Sequence, residues 1–170
     1  IQVGLVGSEM CIRDRFTSAI DRAAPIPGGI AIASQSGAYG SHIYMVSHQR
    51  GLGINYWITT GNEADISVSE AIQFLAEDEK VHTIMAYVES VKDGKMFTKA
   101  LDTARQEKKP VILMKVGRSD VGAAAANSHT ASLAGEDAIY SEVIRAHGAY
   151  RVRSTEEMLD VAYATKPRIY

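Results

Sequence analysis

The segment Ile30–Arg50, IAIASQSGAYGSHIYMVSHQR, contains the unit on which the fold of this chain depends. Its first part, Ile30–Ser34, is short and apolar, which favours a buried strand of a parallel sheet. A glycine-bearing turn is predicted at Gln35–Gly40, and Ser41–Arg50 has the composition of a helix that ends before Gly51. A buried strand that passes through a tight turn into a helix is the first half of a βαβ unit, whose strands are parallel.

The same alternation of strand and helix patterns continues along the chain. Segments that favour strands recur at Ile54–Thr60, Thr83–Val88, Pro110–Val116 and Ala149–Val152. Between them, apolar residues recur at helical spacing in three sets: Val68, Ala71, Ile72 and Leu75; Phe97, Ala100, Leu101 and Ala104; Ile139, Val143 and Ala146. Ser154 and Glu157 have the spacing of a capping box and predict a last helix that ends at Ala164. The order predicts an α/β fold, a flavodoxin-like doubly wound parallel sheet of about five strands with helices on both faces.

The composition is that of an ordinary globular domain. The chain has 170 residues, of which 46% are hydrophobic and 22% charged, so one domain with a real core is expected. A net charge of −2 provides no basic surface for nucleic acid or for an acidic membrane. No apolar run approaches the about 20 residues of a membrane span. The single cysteine, Cys11, cannot form an internal disulfide, and no Cys/His cluster has zinc spacing, so we expect a reducing, cytoplasmic compartment and no metal site.

The two ends of the chain do not belong to the predicted domain, which covers residues 30–165. Val6–Arg15, VGSEMCIRDR, resembles translated sequencing-adapter read-through, so Ile1–Arg15 is predicted to be non-native. The alternative is that it is the remnant of a preceding CoA-binding domain. Phe16–Gly29 contains two prolines and two glycines and is predicted to be a linker, and Lys166–Tyr170 the truncated start of a following segment.

Removal of Ile1–Arg15 tests that interpretation. A segment derived from an adapter sequence has no reason to complement a protein core. We therefore expect thermal denaturation of the shortened chain to give nearly the same melting temperature. A large drop in the melting temperature would identify the segment as native.

The exit of the first predicted strand carries a candidate phosphate-binding turn. In a doubly wound fold, functional residues lie at the carboxyl ends of the strands. The backbone N–H groups and hydroxyls of an S-x-S-G turn that opens a helix suit a phosphoryl group. The candidate residues are Ser34, Ser36, Gly37 and Ala38. The same pattern also serves as an ordinary turn and helix cap.

Two further candidates follow the third and fourth predicted strands. Glu89 stands where the apolar strand ends, and a carboxylate at that position needs a partner or solvent. Gly117–Glu136 is rich in Gly, Ala and Ser, fits neither a helix nor a strand, and carries His129 at its centre. A carboxylate bonded to one nitrogen of an imidazole fixes its tautomer and leaves the other nitrogen as a nucleophile. Glu89 and His129 are therefore candidate catalytic residues, although a solvated strand end and a plain surface loop remain alternatives.

The residues leave other functions open. In a serine hydrolase, Ser36 is the nucleophile, and the chain order Ser36, Asp65 or Glu89, His129 fits an α/β-hydrolase. Labelling of Ser36 by a fluorophosphonate would favour that alternative. The fold alone would also suit a flavin carrier. The remaining histidines are predicted to be structural or surface residues: His42, His48, His82 and His147.

The chain also resembles a known family in several motifs, namely ASQSGAYG, TTGNEAD, YVESVKDG and VGRSDVGAAAANSHTASLAGED. They resemble the NDP-forming (ADP-forming) acyl-CoA synthetases, and in particular their succinyl-CoA-ligase-like flavodoxin domain, over about Gly28 to Ala164. The resemblance implies a ligase that forms acyl-CoA with cleavage of a nucleoside triphosphate to its diphosphate. It implies that His129 is transiently phosphorylated between acyl phosphate and ADP, with Glu89 orienting it. Ala131 departs from the glycine that many members have there.

The resemblance also implies partners and cofactors. These are a CoA-binding Rossmann domain, an ATP-grasp domain or subunit, acyl-CoA and phosphate, in an enzyme that is expected to be oligomeric. CoA, ATP or ADP and Mg²⁺ belong to the complete enzyme, and none is expected to be held by this domain alone. The fragment is therefore expected to be inactive by itself. A non-catalytic synthetase-like module of a protein acyltransferase is the alternative within this resemblance.

Overall fold

The computed structural model describes residues 26–117 and 137–165. His129, Cys11 and Ala131 lie outside these residues, as do the predicted segments Ile1–Arg15 and Lys166–Tyr170. The described strands form one sheet in the order β2-β1-β3-β4-β5, with every neighbouring pair parallel. In chain order the elements are β1 Ile30–Ser34, α1 Gly37–Gln49, β2 Ile54–Thr59, α2 Val68–Glu77, β3 Thr83–Val88, α3 Gly94–Gln106, β4 Val111–Lys115, α4 Asp137–Ala146, β5 Tyr150–Arg151 and α5 Thr155–Ala164. The predicted flavodoxin-like α/β fold is confirmed.

The sheet separates two hydrophobic cores, because alternate side chains of a strand point to opposite faces. On one face, Ala31 and Ala33 of β1 pack with the apolar sides of α2 and α3. On the other face, Ile30 and Ile32 pack with residues of α1 and α5, including Ile43 and Leu159. The covered faces leave the carboxyl ends of the strands as the edge at which polar side chains collect.

Helix α1 begins at Gly37, so the prediction of a turn through Gly40 and a helix start at Ser41 was wrong. Ser36 is the N-cap, and its side chain accepts a hydrogen bond from the N–H of Tyr39 at 3.2 Å. Gly40 signalled a turn but lies inside the helix, where a Cβ would come within 2.5 Å of Trp57 Nε1. A glycine at that position allows α1 to lie close against β2.

The other helices follow their sequence patterns to different degrees. The predicted apolar faces of α2 and α3 are buried throughout. The predicted helix α4 forms, but of the residues that marked it Ile139 is 59% exposed and Val143 packs only partly against the core, and the fully buried residue is Ile144. Helix α4 contacts α3 and the two-residue β5, which bury only a narrow face of it.

The capping signal at Ser154 is only half realised. The Ser154 side chain accepts from the N–H of Glu157 at 3.1 Å, as predicted. The carboxylate of Glu157, however, accepts from the N–H of Arg153 at 2.7 Å. A complete capping box occurs instead at Ser67 and Glu70, at the start of α2.

Candidate active site

The predicted phosphate-binding turn joins β1 to α1 and presents backbone N–H groups at the start of a 13-residue helix. Gly37 and Ala38 are exposed, and within the described part of the chain no group accepts a hydrogen bond from their N–H groups. The N–H of Ser36 is already bonded to Ser34 Oγ at 3.2 Å, and this hydroxyl donates to the Ser36 carbonyl at 2.7 Å. Ser34 is fully buried. The turn therefore offers two first-turn amides, beside the Ser36 hydroxyl, at the positive end of a helix dipole.

Glu89 lies at the same edge of the sheet, directly after β3. Strands β1 and β3 are adjacent, with Ser34 in register with Tyr87. The Gln35 N–H donates to the Tyr87 carbonyl at 3.1 Å, and the N–H of Glu89 donates to Gln35 Oε1 at 2.5 Å. The Glu89 side chain is partly exposed. The turn at Ser36–Ala38 and the carboxylate of Glu89 thus lie at neighbouring strand exits, whereas phosphate binding by the turn and the role of His129 stay predictions.

Two polar residues that no sequence pattern indicated join these strand ends, Gln35 and Glu63. They are 5% and 9% exposed. Gln35 Nε2 donates to Glu63 Oε1 at 2.7 Å. Gln35 lay between the two serines of the turn and Glu63 in a polar loop, so neither had a periodic pattern. The available signal was the large polar residue placed directly after the buried strand Ile30–Ser34, where nonpolar or small residues are usual.

A second polar cluster lies at the carboxyl ends of β4 and β5. Lys115, the last residue of β4, is buried, and its ammonium donates to the Val116 carbonyl at 2.5 Å. The ammonium lies 4.5 Å from the centroid of the Tyr140 ring, a cation–π contact. Burial lowers the pKa of the Lys115 amine, and the positive charge of Arg151 lowers it further. The carboxylates of Asp137 and Glu89 act on this pKa in the opposite direction.

Arg151 forms an ion pair with Asp137, the first residue of α4. Its guanidinium also donates to the Asp137 carbonyl at 3.2 Å and to the Lys115 carbonyl at 3.3 Å. Lys115 and Asp137 stand on either side of the segment that carries His129. Arg151 therefore fixes the two flanks of that segment relative to each other at the carboxyl edge.

A pair of stacked tyrosines supports the first turn of α1. The rings of Tyr39 and Tyr87 lie 4.1 Å apart, and the Tyr39 hydroxyl shares a 2.7 Å hydrogen bond with Thr155 Oγ1. Burial raises the pKa of Tyr39, despite the hydrogen bond to Thr155. Burial, followed by the negative charge of Glu89, raises the pKa of Tyr87 to about 12. Both phenols are therefore neutral at physiological pH, and Tyr87 lies near enough to Glu89 for the carboxylate charge to act on its pKa.

Two residues of the hydrolase alternative, Ser36 and Glu89, lie at neighbouring strand exits, and His129 lies outside the described residues. The Ser36 hydroxyl is occupied as the N-cap acceptor, and Asp65 is exposed with no hydrogen-bond partner among those residues. The four histidines that were predicted to be structural or surface residues are found in such places. His42 is exposed, His48 stacks on Tyr44, His82 contacts Thr83 Oγ1 at 3.0 Å, and His147 Nδ1 lies 2.9 Å from Asp102 Oδ1.

Within residues 26–117 and 137–165, no three His, Cys, Asp or Glu side chains form a group that could hold a metal ion. No helix in those ranges is both long enough and apolar enough to cross a membrane.

The strand order and the turn define a doubly wound α/β domain whose first helix begins, with exposed N–H groups, at the carboxyl edge of the sheet. The profile of the succinyl-CoA-ligase-like flavodoxin domain matches residues 27–165, and the chain belongs to this family. The resemblance found in the sequence motifs is therefore confirmed.

Several known proteins are similar to this chain. The ADP-forming acetate–CoA ligase I of Archaeoglobus fulgidus is 36% identical over 160 residues, which are 94% of this chain and 23% of the relative. The alpha subunit of the ADP-forming acetate–CoA ligase I of Pyrococcus furiosus is 39% identical over 141 residues, 82% of this chain and 30% of the relative. Among solved structures, the dinucleotide-forming acetyl-coenzyme A synthetase 1 of Ca. Korarchaeum cryptofilum, in complex with phosphate and ADP, has a TM-score of 0.77 at 34% identity. That match covers 83% of this chain and 31% of the solved chain.

The chain thus spans between about a fifth and a third of the length of the curated relatives that it matches, at 23% and 30% of the two ligases described. It corresponds to a domain of such a protein, similar to part of the alpha subunit in the two-subunit case.

Proposed function

We propose that this chain is the phosphohistidine-carrying domain of an ADP-forming acyl-CoA synthetase, an acid–thiol ligase. The observation that carries the proposal is the pair of exposed N–H groups at Gly37 and Ala38, without acceptors among the described residues and one strand exit away from Glu89. A phosphoryl group needs such donors, and its histidine carrier needs a carboxylate to orient the imidazole.

The proposed reaction passes a phosphoryl group through His129. A neutral imidazole nitrogen attacks the phosphorus of an acyl phosphate, which forms from acyl-CoA and phosphate with release of CoA. An N–P bond forms, the P–O bond to the acyl group breaks, and the carboxylic acid leaves as its anion. The phosphoryl group then passes from His129 to ADP, which gives ATP and restores the imidazole. Glu89 accepts a hydrogen bond from the other ring nitrogen and stabilises its positive charge.

The residues of the turn have distinct roles in this proposal. The N–H groups of Gly37 and Ala38 bind phosphoryl oxygens, aided by the dipole of α1. The Ser36 hydroxyl caps the helix and can donate its proton to a bound oxygen, because its lone pair is what the Tyr39 N–H uses. Ser34 contributes by holding the turn, since its hydroxyl is buried and bonded at both ends to Ser36.

The complete enzyme needs more than this domain. We assign CoA to a Rossmann domain, and the nucleotide with its Mg²⁺ to an ATP-grasp domain or subunit. This assignment leaves no cofactor to the present domain alone, and it makes the fragment inactive by itself. We further propose the division at residues 16–29 and 30–165, a cytoplasmic location and an oligomeric complete enzyme.

Phosphorylation of the complete enzyme tests the proposal. The full-length protein, with its CoA-binding and ATP-grasp parts, is incubated with γ-labelled ATP, or with acyl-CoA and labelled phosphate. We expect label on the peptide that contains His129, labile in acid and stable in alkali. Label only on a serine would contradict the role of His129, and fluorophosphonate capture at Ser36 would favour the hydrolase. Absence of label and of acyl-CoA synthesis would favour the non-catalytic module of a protein acyltransferase.

Replacement of Glu89 by Gln should slow the formation of phosphohistidine by about 100-fold or more. The amide can still orient the imidazole but cannot stabilise its developing positive charge. The measurement is the rate of label incorporation in a rapid-quench experiment. Glu79→Gln, which changes an exposed glutamate that follows α2, is the matched control and should keep the normal rate. Equal rates in the two variants would contradict the assigned role of Glu89.

A further inference from the structure

The side chain of Gln35 makes contacts that no ordinary turn residue needs. It lies directly after β1 and is 5% exposed. Its oxygen accepts from the N–H of Glu89 at 2.5 Å and from the N–H of Ser90 at 3.0 Å. Its nitrogen donates to Glu63 Oε1 at 2.7 Å and to the Ser90 carbonyl at 2.9 Å. Two donors face one end of the amide and two acceptors face the other, so only one orientation of the amide satisfies all four bonds.

Glu63 binds the side-chain amide of Gln35 and is itself held in place by other contacts. Its side chain is buried, and Oε1 accepts from the N–H of Val68, the first residue of α2, at 2.6 Å. Its backbone has a φ of +54°, in the left-handed region that few residues other than glycine adopt. Such a conformation persists where the surrounding contacts require it, and these often serve a functional site.

A lysine covers the outer side of the same network. The ammonium of Lys92 donates to the carbonyls of Asn62 and Glu63, at 2.8 and 3.0 Å. The exits of three neighbouring strands are thereby joined: Gln35 after β1, Glu63 after β2, and the segment Glu89–Lys92 after β3. Three ionisable residues take part in this network of contacts: Glu63, Glu89 and Lys92.

We propose that Gln35 and Glu63 are positioning residues that set the location of Glu89 for its work on the phosphorylated histidine. The inference rests on the proposed function, because it concerns how Glu89 meets an imidazole. Gln35 holds the main chain of Glu89 and of Ser90 at once, so it fixes both the place and the direction in which the carboxylate leaves the strand. Neither Gln35 nor Glu63 is assigned a contact with substrate. A misplacement of a catalytic group by about 1 Å can cost about 100-fold in rate, so the effect of this anchoring is measurable.

A double-mutant cycle in the complete enzyme tests this role. Gln35→Met keeps the length of the side chain and removes all four hydrogen bonds. We expect it to slow label incorporation at His129 by about 10- to 100-fold in the normal background. In a Glu89→Ala background, which has neither the carboxylate nor an amide in its place, the same change should slow the rate by less than about 3-fold, since a residue that acts through the Glu89 side chain has nothing left to position. Gln106→Met, an exposed glutamine of α3, is the control and should keep the normal rate in both backgrounds.

A second variant keeps the test decisive if Gln35→Met does not fold. Gln35→Glu retains the oxygen that faces Glu89 and Ser90 but places a carboxylate against Glu63. Two carboxylates in contact raise the pKa of one of them. The introduced carboxyl can then donate its proton to Glu63 at low pH, as the amide did. The deficit of this variant relative to the unchanged enzyme should therefore shrink as the pH falls from about 8 to about 5.5.

The outcomes separate the inference from the function on which it rests. If the unchanged enzyme carries no label on His129, the proposed function fails. If it does carry label, the inference is overturned by equal slowing in both Glu89 backgrounds, or by loss of melting temperature without slower label incorporation. For Gln35→Glu, a deficit that does not change with pH would also overturn it.

Discussion

A His129→Asn variant of the complete enzyme is expected to lose ATP formation from acyl-CoA, phosphate and ADP by at least about 10⁴-fold, to the background of the assay. Asparagine preserves the size of the residue and part of its hydrogen bonding, but its amide nitrogen is not a nucleophile. Removal of a group that carries the covalent intermediate leaves no path from acyl phosphate to ADP. The measurement is the coupled formation of ATP from acyl-CoA, phosphate and ADP, together with the label on the protein.

The half-reaction that precedes phosphorylation of His129 sharpens this prediction. Formation of acyl phosphate from acyl-CoA and phosphate does not use the imidazole as a nucleophile, so His129→Asn should still release CoA in a single turnover. His42→Asn, which changes an exposed histidine of α1, is the control and should turn over normally. An active His129→Asn enzyme would end the proposal that His129 carries the phosphoryl group.

The parts of the fold that the sequence predicts best are those dominated by burial. Thr83–Val88 is a strand within the residues predicted, because a six-residue run that is rich in β-branched and aromatic residues and lies between polar segments favours a buried strand over a helix. Helices α2 and α3 likewise show the predicted faces, since both lie across the sheet and bury a full stripe. The pattern fails for α4, which borders the end of the sheet and buries Ile144 in place of Ile139.

The candidate site likewise has one part that the sequence predicts and another that it does not. Its backbone part follows from local sequence, because a serine followed by a glycine after a buried strand favours a capped helix start whatever surrounds it. The contact of Gln35 with Glu63 and with Glu89 joins residues 28 and 54 positions apart in the chain, and only the order of the strands brings them together. A pairing of that kind has no periodic signal in one sequence, so Gln35 and Glu63 could not be predicted.

Gly53→Ala is expected to destabilise the chain by about 3 kcal/mol, which lowers the melting temperature by about 6–12 °C. Gly53 precedes β2 and lies directly against the main chain of Pro27 and Gly28, which leads into β1. A Cβ built on it would lie 2.2 Å from the Pro27 oxygen and 2.6 Å from the Gly28 Cα. These are main-chain atoms, so no side-chain rotation can relieve the overlap. The Gly53 carbonyl also accepts from the N–H of Ile30 at 3.3 Å, so separation of the two segments weakens the start of β1.

Gly94→Ala is the matched control for this prediction, measured by thermal denaturation followed by circular dichroism. Gly94 begins α3, and a Cβ there would meet nothing within 4 Å. Alanine has the higher helix propensity, so this variant should match or slightly exceed the unchanged chain in stability.

Gly28→Ala, whose Cβ would lie 2.3 Å from the Gly53 oxygen, should lower the melting temperature as Gly53→Ala does. The two changes force apart the same pair of main-chain segments, so their combination should cost less than the sum of the two. Equal melting temperatures for Gly53→Ala and Gly94→Ala would show that the two segments do not lie in contact.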